Sequence, residues 1–402
     1  MGALILGFAG VVGTVLFARE SEAVDLVRFP LCWWSVLLAL YGAVRLRHGR
    51  GALPAASELL LLGLGSVVFW DVFELLNLKL HDWWYVGELR VAWAGALFSA
   101  ASFAIVLPAA RLGEILLRPA RTRSAWPPSA TLAGAPAASA AAGMDPRRAT
   151  RLACAGLALL AVALAAPRVA FPLAWVFLLP LCEAALCLWP AAAGELRGPL
   201  EALWAGDRGV AARLLAFALP LGLLWEGLNY SCARGWVYTV PHFEGAKIFE
   251  MPAPGYLGYL PFLLEAGAAN ALLLRARSRM RLGPPAAAIL LFFFAAAHLA
   301  VNDAGRSGSA VSLTQRLDDS QTLPFAPGLA QAGLGTPRAL LAAVAREGNL
   351  AVARRAGLAP AQVEEAARLA GLAQVAHLGV PWAERLLRAG VRTPAELAQA
   401  DP

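Results

Sequence analysis

Carboxyl and amide side chains inside apolar segments are the residues of this sequence best able to do chemistry. Glu226 and Asn229 stand three positions apart near the end of one apolar segment, and Glu74 and Asn77 repeat the pair at the end of an earlier one. Ionisable groups are costly in a bilayer, so those kept there usually face a cavity or a partner. Glu265 lies deep in a later segment, where a carboxyl group suits proton donation to an apolar substrate. We therefore predict Glu226, Glu265 and Asn229 as catalytic residues.

Aromatic and polar residues near the same predicted membrane level form a second group of candidates. The stretch 236–253 mixes aromatic residues, prolines and charged residues, which indicates an ordered lid on the membrane interface. The predicted substrate-binding residues are Glu74, Asn77, Trp84, Trp236, Tyr238, Glu250, His298 and Asn302. The alternative roles are an interfacial belt for the aromatic residues and helix-to-helix hydrogen bonding for the Glu and Asn residues.

No metal site and no cofactor are predicted. The chain lacks the HExxH, P-loop, GxSxG and heme CxxCH patterns. Its five cysteines form no CxxC pair and lie within or at the ends of apolar segments, so we interpret them as small buried hydrophobic residues.

The elements that must position these residues are membrane-spanning helices. Hydrophobic residues make up 59% of the 402 residues and charged residues only 15%, far from the balance of a soluble globular protein. Nine apolar stretches are long enough to cross a hydrocarbon core of about 30 Å. They run over 3–18, 30–45, 57–77, 91–110, 152–167, 170–190, 211–231, 254–274 and 284–302. We therefore predict a polytopic membrane protein.

Charge placement predicts orientation and location. Arginines concentrate in every second loop, which by the positive-inside rule places those loops and the N-terminus in the cytoplasm. The strong preference for Arg over Lys, with the excess of Ala, Gly, Leu and Pro, indicates a high-GC bacterial genome. We predict a multi-pass protein of the bacterial inner (cytoplasmic) membrane, and we attribute the net charge of +7 to its loops.

The two halves of the membrane part carry the same landmarks in the same order. The pattern [FW]-E-x-L-N-x6-W begins at Phe73 and again at Trp225, and F-P-L-x-W begins at Phe29 and again at Phe171. Such ordered matches are typical of an internal duplication. The predicted fold class is all-α: a transmembrane bundle of two parallel four-helix repeats plus one extra span, followed by a small soluble helical domain.

Composition places the domain boundaries. A Pro- and Ala-rich stretch separates the two membrane repeats, and a polar stretch precedes the C-terminal helices. The predicted parts are a first repeat at 1–118, a disordered linker at 119–150, a second repeat at 151–282, a ninth span at 283–303, a linker at 304–335 and a helical domain at 336–402.

The C-terminal domain resembles a helix-hairpin-helix domain over residues 377–393. Thr336-Pro337 and Thr393-Pro394 have the residue types of an N-cap and a first helical residue. From 304 to 402 the chain has 10 arginines against 8 acidic residues, too even a balance for nucleic-acid binding. We therefore expect residues 336–402 to bind a protein partner and no nucleic acid. Tight, steeply salt-dependent binding of duplex DNA to these residues would contradict that expectation.

Trp236-x-Tyr238, followed by Met251-Pro252 and then Glu265, resembles distantly the membrane lycopene cyclase domain of carotenoid synthesis. That resemblance implies an isoprenoid substrate. The whole chain resembles more closely an uncharacterised family of bacterial multi-pass membrane proteins with a helix-hairpin-helix-like C-terminus. We predict an intramembrane enzyme whose partner is a membrane lipid or lipophilic small molecule, with isoprenoids as one class, and whose carboxyl groups do acid/base chemistry. The alternatives are a small-solute or ion transporter and a membrane scaffold presenting the C-terminal domain.

Overall fold

The structure is a computed structural model of the chain, and it describes residues 1–86, 92–119, 145–230, 232, 234–242, 246–280, 284–306, 316–375 and 378–400. It is 77% helical with almost no sheet, as the predicted all-α class requires. The chain divides into two compact units. The membrane unit consists of Met1–Trp83, Ala96–Cys232 and Tyr238–Gly305, and the C-terminal unit consists of Trp84–Gly95, Ala233–Val237 and Arg306–Pro402.

Thirteen α-helices lie between residues 2 and 306 in the part of the chain that the structure describes. They are α1 (Gly2–Glu20), α2 (Glu22–Leu26), α3 (Arg28–His48), α4 (Ala56–Leu80), α5 (Ala92–Phe103), α6 (Val106–Leu116), α7 (Pro146–Ala165), α8 (Pro167–Ala170), α9 (Leu178–Leu188), α10 (Pro199–Trp204), α11 (Gly209–Tyr230), α12 (Tyr259–Arg279) and α13 (Pro284–Arg306).

Eight segments of this region are helical, long and apolar enough to cross a membrane. A ninth is a bent pair, Pro167–Trp175 with Leu178–Leu188, whose two parts meet at 40°. These segments overlap the nine predicted apolar stretches. The prediction is therefore confirmed in one respect: the chain has several helices long and apolar enough to cross a membrane. The kind of membrane, the orientation and the internal duplication stay predictions.

Two of the spans are broken, and side chains from other helices bind the backbone freed at each break. Between α5 and α6, the hydroxyl of Ser66 on α4 donates to the carbonyl of Phe103 at 2.5 Å and accepts from the amide of Leu107 at 3.1 Å. The side-chain amide of Asn270 on α12 donates to the Leu107 carbonyl at 3.1 Å. Irregular backbone at membrane depth requires such partners.

The second break precedes α9. One carboxylate oxygen of Glu265, Oε1, accepts hydrogen bonds from the amides of Leu178 at 2.8 Å and Leu179 at 3.2 Å. These amides belong to the first turn of α9, where no helical partner is available to them. Glu265 on α12 therefore holds the start of a broken span, and its Oε2 is buried without a hydrogen-bond partner among the described residues.

Short strands follow α4 and α11, the two helices that end in the repeated pattern. β1 (Trp83–Val86) and β2 (Gly235–Tyr238) form a two-stranded sheet, and β3 (Lys247–Ile248) pairs with β4 (Met251–Pro252) in an antiparallel hairpin. The chain leaves α4 through His81, whose φ of 56° is left-handed and ends the helix.

The C-terminal unit has its own hydrophobic core, built from short helices. They are α14 (Ala326–Gln331), α15 (Pro337–Glu347), α16 (Asn349–Ala356), α17 (Pro360–Ala373), α18 (Gly379–Arg388) and α19 (Pro394–Gln399). Both predicted N-caps are confirmed, because the hydroxyl of Thr336 accepts from the Ala339 amide and that of Thr393 accepts from the Glu396 amide.

This core begins before residue 336. Leu317, Leu323 and Leu329 are buried in it, so the second half of the predicted 304–335 linker is part of the folded unit. The buried carboxylate of Glu384 on α18 fixes this segment by accepting from the amides of Gln321 and Thr322. Most of the other predicted linker, 119–150, and His377 of the hairpin resemblance lie outside the described residues, so the hairpin stays a prediction.

Candidate functional site

The membrane unit contains a cavity of about 390 Å³, which we call the aromatic cavity. Its aromatic wall residues are Trp33, Trp70, Phe171, Trp175, Trp225, Tyr238, Tyr259 and Phe262. The rest of its wall consists of Asp82 and the apolar residues Ile105, Val106, Ala109, Pro172, Leu221, Val240, Met251, Pro252, Pro254, Gly255, Leu257, Gly258 and Pro261. Both span breaks contribute, since Ile105 and Val106 follow α5 and Trp175 precedes α9. Few polar groups in a large apolar wall are typical of a site for a lipophilic molecule.

The aromatic rings of the wall support one another. The ring centroid of Trp225 lies 5.1 Å from that of Trp33 and 5.7 Å from that of Trp70. The ring centroid of Phe262 lies 5.9 Å from that of Trp70 and 6.1 Å from that of Trp175. Ring pairs at such separations attract one another beyond simple area burial. These ring contacts therefore stabilise the arrangement of the wall.

Asp82 is the one wall residue with a carboxyl group, and its backbone is held from two sides. Its amide donates to the side-chain oxygen of Asn77 at 2.8 Å, and its carbonyl accepts from the amide of Thr239 at 2.9 Å. The Thr239 hydroxyl also donates to the carbonyl of His81 at 2.6 Å. The position of Asp82 on the cavity wall is thus set by the end of α4 and by the residue after β2.

The carboxyl group of Asp82 is buried and unpaired. The residue is only 1% exposed, and neither carboxylate oxygen has a hydrogen-bond partner among the described residues. Burial without a partner disfavours the charged form and raises the pKa of Asp82 from 3.8 to about 7. Buried polar groups in proteins are nearly always paired, so such an exception marks a place where a ligand could supply the partner.

Sequence reasoning missed Asp82. It follows the third apolar segment and so falls outside the stretches in which a carboxylate counts as costly. Its position between Asn77 and Trp84, inside the repeated pattern, was the available signal.

Glu226, predicted as catalytic, lies behind the wall. It is fully buried on α11, and its Oε1 accepts from the hydroxyl of Tyr238 at 2.8 Å and from that of Tyr259 at 2.6 Å. Both tyrosines line the aromatic cavity. Glu226 therefore fixes the orientation of both hydroxyl groups. Tyr238 is thus the predicted site residue that forms part of the wall.

Two other predicted residues, Glu74 and Asn77, bond to wall residues. The indole N–H of Trp70 donates to Glu74 at 2.7 Å, and Asn77 holds Asp82 as described above. Asn229 is buried near the end of α11, one turn beyond Glu226. These Glu and Asn residues are not among the residues that form the described cavity wall.

Of the predicted residues of the loop strands, Trp236 on β2 is buried, and Trp84 on β1 is half-buried. Glu250 is half-buried in the turn between β3 and β4.

The predicted residues on α13 belong to a different cluster. His298 Nδ1 lies 3.0 Å from the carboxylate of Asp71, and its Nε2 lies 2.9 Å from the carbonyl of Ala96. The side-chain oxygen of Asn302 accepts from the hydroxyl of Ser99 at 2.8 Å. These contacts tie α13 to α4 and α5, and they occupy both ring nitrogens of His298. Within the described ranges, no group of three or more His, Cys, Asp or Glu side chains could hold a metal ion.

Comparison with known proteins gives one match. Residues 325–402 match the family described as Domain of unknown function (DUF4332), which agrees with the predicted resemblance to an uncharacterised family. Neither the curated proteins nor the solved structures contain a match to the chain. The matched domain covers the C-terminal unit from α14 onward.

Proposed function

We propose that the membrane unit is an intramembrane enzyme that acts on a lipophilic substrate, with isoprenoids as one candidate class, by acid/base chemistry of carboxyl groups. The aromatic cavity is the substrate site in this proposal. One observation carries it: an apolar, aromatic wall contains a single buried carboxyl group that has no partner in the described protein.

The two carboxyl groups at the cavity have separate roles in this proposal. Asp82 faces the substrate, and a carboxyl group whose pKa is raised to about 7 can both donate and accept a proton near neutral pH. Glu226 acts through Tyr238 and Tyr259, since it orients both hydroxyl groups. Asp82 is the proposed catalytic residue, and Glu226 is a positioning residue.

We expect a lipophilic molecule to copurify with the protein and to be lost when the cavity is filled. Gly258 lines the cavity, and a Cβ built there meets no atom within 4 Å. Its φ of −64° is open to any residue, so Gly258→Phe adds a ring without backbone strain. The measurement is mass spectrometry of lipid extracts from the purified full-length protein and its variants.

Gly13→Phe is the matched control, because a Cβ on Gly13 in α1 also meets no atom within 4 Å and Gly13 is not part of the cavity wall. The control is expected to retain the molecule that the wild type carries. Equal amounts of the same molecule in both variants would show that it binds elsewhere, and the proposed substrate site would then be wrong.

A further inference from the structure

The described wall of the aromatic cavity has an acidic side chain and no basic one. Asp82 is its one acidic wall residue, and no Lys, Arg or His side chain forms part of the described wall. The carboxyl group is almost wholly buried, and both of its oxygens lack hydrogen-bond partners in the described protein. The ionised form of a carboxyl group in such a place is stabilised by a positive charge that a ligand brings, because the described wall supplies none.

The aromatic rings of the cavity wall also favour a positively charged ligand. Four tryptophans line the cavity, and the face of an indole ring attracts a cation more strongly than that of any other aromatic side chain. The rings and the carboxyl group therefore both stabilise positive charge.

The chemistry of the wall selects an organic cation and not a metal ion. A calcium or magnesium ion needs about six oxygen ligands, whereas one carboxyl group and two hydroxyl groups supply at most four here. The volume of about 390 Å³ lies in the range of small-molecule sites. An anionic phosphate beside the ammonium group would be repelled by Asp82, which disfavours the headgroup of a zwitterionic phospholipid.

We propose that the aromatic cavity binds a lipophilic cation, an apolar molecule with an alkylated ammonium group, and that the carboxylate of Asp82 is its counter-ion. This inference rests on the proposed function in that the cavity is the ligand site. It narrows the substrate class to lipophilic molecules that carry a positive charge.

The test compares two probes of the same shape, phenyltrimethylammonium and its neutral analogue tert-butylbenzene. Binding is measured by tryptophan fluorescence with the full-length protein in nanodiscs of neutral lipid, for the wild type, Asp82→Asn and Gly258→Phe. At pH 8 the ammonium probe is expected to bind the wild type at least about tenfold more tightly than Asp82→Asn. The neutral probe is expected to bind these two proteins equally, and Gly258→Phe should weaken both probes.

The pH dependence of the wild type gives a second readout that needs no variant. Because only the carboxylate pairs with a cation, affinity for the ammonium probe should rise about tenfold per pH unit below the pKa of Asp82 and level off above it. The other titratable groups that face the cavity are the two tyrosines, and free phenols ionise only near pH 10. Glu226 lies behind them. The neutral probe should show no such rise.

The possible outcomes separate the two proposals. Binding of the neutral probe together with equal affinity of the ammonium probe for wild type and Asp82→Asn, without a pH dependence, would overturn the lipophilic cation and leave the substrate site standing. Failure of both probes to bind the wild type, or binding of both probes that Gly258→Phe does not weaken, would overturn the site itself. Tighter binding of dodecylphosphocholine than of the ammonium probe would contradict the exclusion of zwitterionic lipids.

Discussion

Asp82→Asn is expected to stabilise the protein against unfolding in neutral and alkaline solution, by an amount that falls to almost nothing in acid. Burial raises the pKa of Asp82 from 3.8 to about 7 in the folded protein. Between these two values the folded state holds a proton that the unfolded state has lost, so the contribution of Asp82 to stability decreases as pH rises. Well above pH 7 the penalty is constant, and asparagine, which is neutral, avoids it.

The size of this effect follows from the pKa difference. One pKa unit corresponds to about 1.4 kcal/mol, so three units give an upper value of about 4 kcal/mol at pH 8 and near zero at pH 4. The measurement is thermal unfolding of both proteins in detergent across this pH range. Asp303→Asn, at an exposed aspartate on α13, is the control and should change little. A gain from Asp82→Asn that is the same at every pH would contradict burial of an unpaired carboxyl group.

Arg275→Met is expected to be among the most destabilising single changes in the membrane unit. The side chain of Arg275 on α12 is 0% exposed, and its Nη2 donates to the carboxylate of Glu201 at 2.7 Å and to the Leu196 carbonyl at 2.9 Å. Its Nη1 donates to the carbonyls of Leu186 and Trp189. Methionine would leave a carboxylate and three carbonyls without their charged partner, a loss of about 3–5 kcal/mol.

Arg279→Met is the matched control on the same helix. The side chain of Arg279 is 31% exposed and bonds Glu195 at 3.1 Å and the Pro190 carbonyl at 2.7 Å, so its loss should cost about 1 kcal/mol or less. Adding Glu201→Gln to Arg275→Met should recover part of the loss, because the unpaired charge is then gone. Equal midpoints of denaturation for the two arginine variants would contradict a structural role for the buried ion pair.

Hydropathy alone predicted which segments are helices long and apolar enough to cross a membrane, because such a span needs about 20 apolar residues in a row. It could not predict the breaks in those spans. Ser66 and Glu265 bind backbone groups that are distant in sequence. Because a serine or glutamate in a span can also bond within its own helix, the residue type does not reveal such a partner. Glu265 was therefore predicted as catalytic from its depth, whereas its Oε1 holds the first turn of α9.

The residues of the site could likewise be predicted only in part from the sequence. Glu226 was predicted from its repetition at Glu74, and it does reach the cavity through Tyr238. Asp82 could not be found in this way, since it lies outside the apolar stretches, and the Thr239 amide that binds its backbone is distant in sequence. Packing between distant segments decides which carboxyl group faces a cavity, and a local sequence pattern does not predict that packing.

The most direct test of the proposed site is infrared difference spectroscopy of wild type against Asp82→Asn at a series of pH values. A protonated carboxyl band assigned to Asp82 should be present in acid and disappear with a midpoint of about 7, and adding phenyltrimethylammonium at neutral pH should remove it. A midpoint near 4, the value of a solvated aspartate, with no response to the probe, would show that Asp82 does not face the cavity as an unpaired acid, and the substrate site would have to be abandoned.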